Sequence, residues 1–304
     1  MINILISGAG GDICNGVIKS LIASKINLKI YVCGSNSQQL LLYYPFKTLK
    51  SPKVIYKKNY INFIKKTVSK YKISFFFPTI DQEIDLISLF KKEIKCFTLI
   101  DNYNSVRNFS DKLLAYNFFL KEKIRTPKTI LYSKNRLKCF KLPLIIKKRK
   151  DSGSKNITFV KSHKDITKLI LNEDFIIQEF IKGKDYTAGV YKINNRIKIL
   201  VFERRLINGK TQFAKKIFSK KIYKELKIIF LKLNLNFCNI QFIIRKNKIF
   251  IYEINPRLSG SIGLQSLFFN FISYIIKKNF AKQNLKNKKK SMVSAIRIND
   301  FLFI

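Results

Sequence analysis

Over the first hundred residues short apolar strands alternate with helical stretches, and this alternation constrains the chain more than any other feature. Ile2-Asn3-Ile4-Leu5-Ile6 is a short apolar run that ends in Gly8-Ala9-Gly10-Gly11, and a helical pattern follows over residues 13–21. Further strands are predicted at residues 29–33, 53–56, 74–77 and 98–100, with helices over 60–71 and 81–90 between them. Strands separated by helices predict a parallel sheet covered on both faces. This first domain is placed at residues 1–105.

Beyond it the pattern changes. Ser110 is the expected N-cap of a new helix, followed by an acidic first turn at Asp111 and a periodic apolar face. From residue 144 onward strands and hairpins dominate, at 144–148, 157–161, 175–180, 186–193 and 197–203. Asn194-Asn195 supplies a tight turn between the last two. A helix over 220–233 precedes a second hairpin, 238–244 and 249–254, closed by Arg245-Lys246-Asn247-Lys248. No internal repeat is visible. The fold expectation is an α/β domain followed by an α+β domain at 106–304, the latter carrying a lid subdomain around 125–180.

The net charge of +42, from 60 Lys and Arg against 18 Asp and Glu, invites a nucleic-acid reading. Such a binder should gather its cations into a stripe interleaved with aromatics. Here Lys is spread through nearly every segment, together with Ile, Asn and Phe, which is compositional bias. Nucleic acid is therefore not an expected partner, although the charge favours anionic substrates. Five scattered cysteines, an odd number with no Cys-x-x-Cys pair, exclude a full disulfide framework and suit a reducing compartment. The single histidine, His163, lies in a polar stretch, which removes His-rich zinc sites. The longest apolar stretch, 264–276, is interrupted by Gln265, Ser266, Asn270 and Ser273 and falls short of the roughly 18 apolar residues of a membrane span. The N-terminus has no basic leader before Asp12, so a cytoplasmic location is expected, with no membrane partner.

The glycine turn raises a dinucleotide reading, because its backbone N–H groups could meet an anion at a helix N-terminus. Ile13 stands where the third glycine of that fingerprint belongs, and Val32-Cys33-Gly34-Ser35-Asn36 lacks the acidic ribose-binding residue. A structural turn, or one touching an anionic substrate, fits better.

The second half carries a denser constellation. Glu253 and Asn255, two apart at the end of a strand, point to one face, and hairpin pairing can bring Gln241 beside them. Three oxygen donors with one full charge suit Mg²⁺ that also takes phosphate oxygens, and Arg257 adds a fixed cation. A polar strand end closed by a Pro256 turn accounts for the same residues equally well. Upstream, Pro143-Leu-Ile-Ile-Lys147 is an apolar strand whose Lys147 can point inward, and Asp151-Ser152-Gly153-Ser154-Lys155-Asn156 is a small polar loop able to fold over phosphates. Gln178-Glu179-Phe180-Ile181 leads into Gly183-Lys184-Asp185, where Glu179 can accept from an exocyclic amine and Asp185 from ribose hydroxyls.

In this order the parts resemble the ATP-grasp superfamily, and within it a single module of the carbamoyl-phosphate synthase large chain. The resemblance covers nearly the whole chain. Pro78-Thr79-Ile80-Asp81-Gln82-Glu83 is similar to the family's segment before the ATP-binding domain, and the first domain becomes a Rossmann-like one. The resemblance implies nucleotide contacts at Lys112, Lys147, the loop residues Ser152, Gly153 and Ser154, the adenine hinge Gln178, Glu179, Phe180 and Ile181, and Asp185 in place of the usual ribose-binding Glu. It implies metal ligation by Gln241, Glu253 and Asn255, and catalysis by Arg257 with Lys147. Leu258-Ser-Gly-Ser-Ile-Gly263 matches the glycine- and serine-rich stretch that follows.

The function so implied is that of an ATP- and Mg²⁺-dependent ligase, with Mn²⁺ an acceptable substitute, that forms a C–N bond between a small-molecule carboxylate and an amine through an acyl phosphate. One module rather than two argues against carbamoyl-phosphate synthesis itself. The competing expectation is a non-catalytic nucleotide-binding module with a basic RNA- or partner-binding surface. A third, an NAD-dependent enzyme, is disfavoured by the missing acidic residue. Oligomeric state, the acid and the amine are not encoded in any of these motifs.

Overall fold

A computed structural model describes residues 1–43, 45–133, 140–150, 157–162, 165, 172, 174–207, 210–280 and 294–296. The first hundred residues form a five-stranded parallel sheet in the order β3-β2-β1-β4-β5, from β1 (Ile2–Ile6), β2 (Leu28–Gly34), β3 (Lys47–Lys50), β4 (Phe75–Phe77) and β5 (Phe97–Thr98). The connecting helices are α1 (Asp12–Ile22), α2 (Ser37–Leu41), α3 (Lys57–Lys70) and α4 (Asp81–Leu89). Successive residues of β1 serve opposite faces, as the pleat demands. Ile4 and Ile6 pack with Val17 and Leu21 of α1, while Leu5 packs with Ile61 and Ile64 of α3 and Ile87 of α4. A sheet buried on both sides explains why β1 and β4 are apolar almost throughout.

The third strand is β3, not the stretch 53–56 expected from its β-branched and aromatic residues. Pro52 has no N–H to give a ladder, and the Tyr56 N–H donates to Lys53 O at 3.1 Å, closing a turn into α3. The less apolar Lys47-Thr48-Leu49-Lys50 pairs with Tyr31 to Gly34 instead. After α5 (Tyr103–Arg107), helix α6 (Lys112–Lys121) is capped by Asp111 rather than Ser110. Asp111 Oδ1 accepts from the Leu113 N–H at 2.9 Å, whereas the Ser110 hydroxyl donates back to Arg107 O at 3.1 Å.

Two antiparallel sheets follow. The smaller has the order β6-β9-β7-β8, built from β6 (Thr129–Leu131), β7 (Leu144–Lys148), β8 (Ile157–Val160) and β9 (Phe175–Glu179). The larger has the order β14-β13-β10-β11-β12-β15. Its strands are β10 (Lys184–Ile193), β11 (Arg196–Ile207), β12 (Lys210–Ile217), β13 (Phe237–Arg245), β14 (Lys248–Asn255) and β15 (Ser294–Ile296). Strands β6, β12 and β15 were not expected from the sequence. One face of the large sheet is covered by α6 and α7 (Lys220–Lys232) through Ala115, Phe119, Leu226 and Phe230. The other packs on α8 (Ile262–Ser266) and α9 (Phe271–Phe280), which also meet α1. Tyr191, Phe237 and Phe271 thus share one core with Ile4, Phe75 and Phe77 of the parallel sheet.

The α1–α8 crossing fixes the distance between the two halves. A Cβ added at Gly16 would lie 2.8 Å from the Gly263 backbone nitrogen, so the helices approach backbone to backbone where only glycine fits. That crossing sets the N-terminus of α1 beside the Ser259–Ser261 segment. No helix among the described residues is long and apolar enough to cross a membrane.

Candidate functional site

A cleft of about 460 Å³ runs from the end of β9 across β7 and the β13–β14 hairpin to the N-terminus of α1. Its first wall is the hinge expected from the sequence. Gln178 is buried and donates through Nε2 to Thr129 Oγ1 at 2.9 Å. The Glu179 N–H donates to Lys128 O at 2.8 Å, and its carboxylate accepts from the Lys128 N–H at 3.2 Å, which locks the strand end to the segment before β6. Phe180 packs edge-on against Phe159 at 4.7 Å, and Ile181 is buried beneath the cleft.

The floor is cationic. Lys147 follows three apolar residues on β7 and is only 4% exposed. Its Nζ stands 5.7 Å from the centre of the Tyr252 ring. Burial pulls the Lys147 ammonium down to about 8; the Glu253 charge opposes the shift and Lys112 adds to it. Lys112 donates to Arg149 O at 3.4 Å. Arg149 in turn grips Asp111 with two bonds, at 2.7 and 3.3 Å. Burial opposes the Asp111 charge, but Arg149 and the backbone N–H groups outweigh it and hold the carboxyl below its ordinary range.

The hairpin supplies the acidic side. Arg245 pairs with Lys248, and the ladder runs regularly as far as Phe242 opposite Ile251. Continued without interruption, it would set Gln241 opposite Tyr252 and leave Glu253 on the other face. A β-bulge at Tyr252 inserts one residue, so Gln241 pairs with Glu253 and Asn239 with Asn255. The bulge therefore brings Gln241 and Glu253 to one face, and it also turns Tyr252 into the cleft.

Two side chains there escaped sequence reasoning, Arg204 on β11 and Tyr252. Arg204 Nε donates to Asp185 Oδ1 at 2.6 Å, and its Nη2 donates to Gln241 Oε1 at 2.6 Å and to the Tyr252 hydroxyl at 2.7 Å. The Tyr252 hydroxyl has one proton, which faces Asp185 Oδ2 at 2.9 Å and Gln241 Oε1 at 3.1 Å. Asp185 and Gln241 are thus already tied together through a buried guanidinium. Arg204 could have been suspected only as a cation in an otherwise apolar run, Ile197-Lys-Ile-Leu-Val-Phe202, that continues into Glu203.

Asn255 lies on the far side of this wall. It lines a second, smaller cavity rather than the main cleft, while Glu253 and Arg257 border both. The Arg257 Nε donates to Asp81 Oδ1 at the start of α4, and Nη1 donates to Leu258 O at 2.8 Å. Ser259 and Ser261 bond each other at 2.8 Å, and Gln265 Nε2 donates to Ser261 Oγ at 2.9 Å. Ser152, Gly153 and Ser154, with the rest of 151–156, lie outside the described residues, as do His163 and Cys139.

The glycine turn borders the cleft through Gly11 but keeps its donors to itself. Gly10 N–H donates to the Tyr43 hydroxyl at 2.6 Å, Ala9 N–H to Cys33 O at 3.1 Å and Gly11 N–H to Gly8 O at 3.0 Å. The Tyr43 hydroxyl donates to Asn15 Oδ1 at 2.8 Å. Glu83, fully buried, accepts from the Ser7 and Tyr60 hydroxyls and from the Thr79 and Ile80 N–H groups at 2.8 and 2.9 Å. These bonds fasten β1, α3 and α4 around the turn. A pyrophosphate would find none of the three N–H groups free.

The ATP-grasp domain profile matches residues 109–261. A D-alanine–D-alanine ligase from Petrotoga mobilis is 27% identical over 206 residues, 57% of this chain and 68% of that protein. A tyramine–L-glutamate ligase from Methanocaldococcus jannaschii is 23% identical over 259 residues, 82% of this chain and 76% of that protein. Among solved structures, the L-amino acid ligase from Bacillus licheniformis superposes with a TM-score of 0.73 at 11% identity, covering 91% of this chain and 74% of that one. The N5-carboxyaminoimidazole ribonucleotide synthetase from Thermotoga maritima gives 0.63 at 17% identity, over 86% and 70%. The structural likenesses concern the fold; with the profile covering half of the sequence, this chain belongs to the ATP-grasp family.

Proposed function

We propose that the protein is an ATP- and Mg²⁺-dependent carboxylate–amine ligase that works through an acyl phosphate. The observation that carries this reading is a buried Lys147 within electrostatic reach of Glu253 in a cleft that also holds the hinge and Arg257. An amine ligase of this kind needs no histidine base, because positioning and charge neutralisation do most of the work. The two named relatives, each a ligase joining an amine to a carboxylate, support the reaction class.

In this reading Gln178, Glu179, Phe180 and Ile181 hold the adenine, Lys112 and Lys147 neutralise the phosphates, and Ser152, Gly153 and Ser154 close over them. Asp185 orients Arg204, which extends the cationic floor toward the ribose side. The domain division belongs to the same proposal: residues 1–105 and 106–304, with the lid at 125–180 closing on the nucleotide.

Glu253 and Asn255 fit a hard cation, one supplying a full charge and the other a neutral amide oxygen. Gln241 Oε1 already accepts from Arg204 and faces the Tyr252 hydroxyl, so it joins a metal only by giving up one of them. Among the described residues no three His, Cys, Asp or Glu side chains form a metal-holding group, so amide and phosphate oxygens must complete the shell. Mg²⁺ would supply charge neutralisation at the transferring phosphoryl group. Arg257 would then leave Asp81 for that group, and a closed lid would keep water from the acyl phosphate.

Glu253→Ala should weaken Mg²⁺-dependent ATP binding at least 100-fold, measured by calorimetric titration with and without Mg²⁺. An unchanged affinity sinks the metal assignment. ADP release, screened over pairs of carboxylic acids and amines, should rise only when both are present.

A further inference from the structure

Two side-chain amides beside the main cleft are oriented by buried hydroxyls, and both send their donors toward it. Asn239 on β13 lines the cleft and is only 3% exposed. Its Oδ1 accepts from Thr187 Oγ1 at 2.8 Å. Thr187 is buried, and its hydroxyl has no other partner among the described residues. A buried hydroxyl without an acceptor is costly, so the Thr187 proton fixes the amide with Nδ2 on the outer side. Nδ2 has no protein partner among the described residues. Unlike Asn255 Nδ2 it is not cut off from solvent, and the opening is the cleft that Asn239 lines.

The second line starts deeper. The buried Tyr191 hydroxyl donates to Gln265 Oε1, and the buried Gln265 on α8 donates through Nε2 to Ser261 Oγ at 2.9 Å. Reversing this amide would leave the Tyr191 proton without an acceptor, so the line runs outward from the core. Ser261 and Ser259 bond each other at 2.8 Å, and Ser259 Oγ also accepts from the Ser261 N–H at 3.1 Å. The two hydroxyls hold two protons. One lies between them, whichever donates, and the other has no acceptor among the described residues. Both serines line the cleft, so that proton is offered there.

The two lines converge. Gly189 on β10 pairs with Asn239 across the ladder. A Cβ at Gly189 would collide with Gln265 Oε1 and stand 2.7 Å from the Tyr191 hydroxyl. Gln265 therefore fills the space that a side chain opposite Asn239 would take. Asn239 lies two residues from Gln241, which pairs with Glu253, and Ser259 lies two residues beyond Arg257. Neutral donors gathered beside these residues suit an anionic oxygen.

We propose that Asn239 Nδ2 and the Ser259–Ser261 hydroxyls hold the carboxylate of the acid substrate, with Thr187, Gln265 and Tyr191 as positioning residues behind them. The inference rests on the ligase reading above and adds where the acid is held and what aims its donors. Two N–H groups and one O–H meet three lone pairs of a carboxylate. Being neutral, they orient it without cancelling its charge. A carboxylate oxygen then bonds to the γ-phosphorus while the bond from phosphorus to the bridging oxygen breaks, and ADP leaves with the electron pair; no proton has to move. Phosphate oxygens of the nucleotide would satisfy the same donors, and the measurements below separate the two.

The test uses the full chain with MgATP and hydroxylamine, whose nitrogen displaces phosphate from an acyl phosphate and leaves a hydroxamate. The common amino acids and the straight-chain mono- and dicarboxylic acids of two to six carbons are the probes. For the acid that wild type uses best, KM should rise at least tenfold in Asn239→Ala and in the double variant Ser259→Ala with Ser261→Ala. It should rise several-fold in Thr187→Val and Tyr191→Phe, which free one amide each to turn. MgATP affinity, measured by calorimetric titration, should stay within about twofold of wild type in all four. Thr187→Val and Tyr191→Phe keep shape and lose only a hydroxyl, so they remain informative even where Asn239→Ala fails to fold. An unchanged KM for the acid in the folded variants overturns the inference. Weakened MgATP binding overturns it as well, by giving these donors to the nucleotide. A wild type that binds MgATP and forms no hydroxamate with any acid overturns the ligase reading instead.

Discussion

Two strand ends in this protein carry the residues by which ligand sites are commonly recognised, and the structure treats them in opposite ways. The Gly8–Gly11 turn after β1 has the small residues and helix N-terminus of an anion site. The end of β14 has one carboxylate, one amide and one arginine. At the turn, the Ala9, Gly10 and Gly11 N–H groups all have protein partners, and Tyr43 fills the space before Gly10. At β14, Asn255 keeps a buried nitrogen without a partner, and Lys147 of β7, over the Tyr252 ring, remains buried with a depressed affinity for its proton. A motif states which groups are available; whether the fold has already satisfied them decides which end can bind. Unsatisfied buried groups gather at functional sites because folding alone does not reward them.

The largest expected effect breaks this comparison at its open end. Lys147→Met keeps the volume and the apolar strand but removes the charge. MgATP affinity should fall at least 100-fold, about 2.7 kcal/mol. The melting temperature should hold or rise, because a buried ammonium no longer has to be kept charged. Loss of affinity together with loss of folding would make Lys147 a structural residue and end the contrast.

The alternation of strands and helices was readable because the central strands β1 and β4 are buried on both faces and apolar almost throughout. It failed at β3, where local β-propensity favoured Val54, Ile55 and Tyr56 while Pro52 and the pairing with Tyr31 to Gly34 selected Lys47 to Lys50. Of the site, the hinge, Lys147, Glu253 and Arg257 were legible because each ends or interrupts an apolar run. Arg204 was not, since its partners Asp185, Gln241 and Tyr252 lie on three other strands. The bulge at Tyr252 was equally hidden. The expected pairing of Gln241 beside Glu253 is reached only through this bulge, because a ladder continued regularly from Arg245 and Lys248 would set the two on opposite faces, and nothing local marks the added residue.

A smaller effect sharpens the same comparison through pH. Burial pulls the Lys147 ammonium down to about 8, and phosphates bound beside it would favour its charged form, so nucleotide should raise its pKa. The charged fraction falls as pH rises through that value. MgATP affinity should therefore weaken about tenfold between roughly pH 7 and pH 9, and binding near pH 8 should take up protons. Titration calorimetry in two buffers of different ionisation enthalpy measures that uptake directly. A flat profile, or proton release, would mean that Lys147 does not meet the phosphates. In Lys147→Met the pH dependence should vanish.

The smallest effect tests the closed end. Tyr43→Phe removes the hydroxyl that accepts from Gly10 N–H and donates to Asn15, while leaving the ring in place. Gly10 then has a donor without a partner, and the protein should lose about 1–2 kcal/mol of stability in chemical denaturation. The turn cannot simply relax: Gly10 holds φ at +83°, and an added Cβ there would come within 2.6 Å of the Gln39 side chain. MgATP affinity should not change, because the proposed nucleotide position lies along Lys147 and the hinge and does not use these N–H groups. A variant as stable as wild type would mean that water replaces the hydroxyl and the turn is less closed than its bonds imply. Weakened MgATP binding in a stable variant would go further, by making the glycine turn part of the nucleotide site and dissolving the difference between the two strand ends.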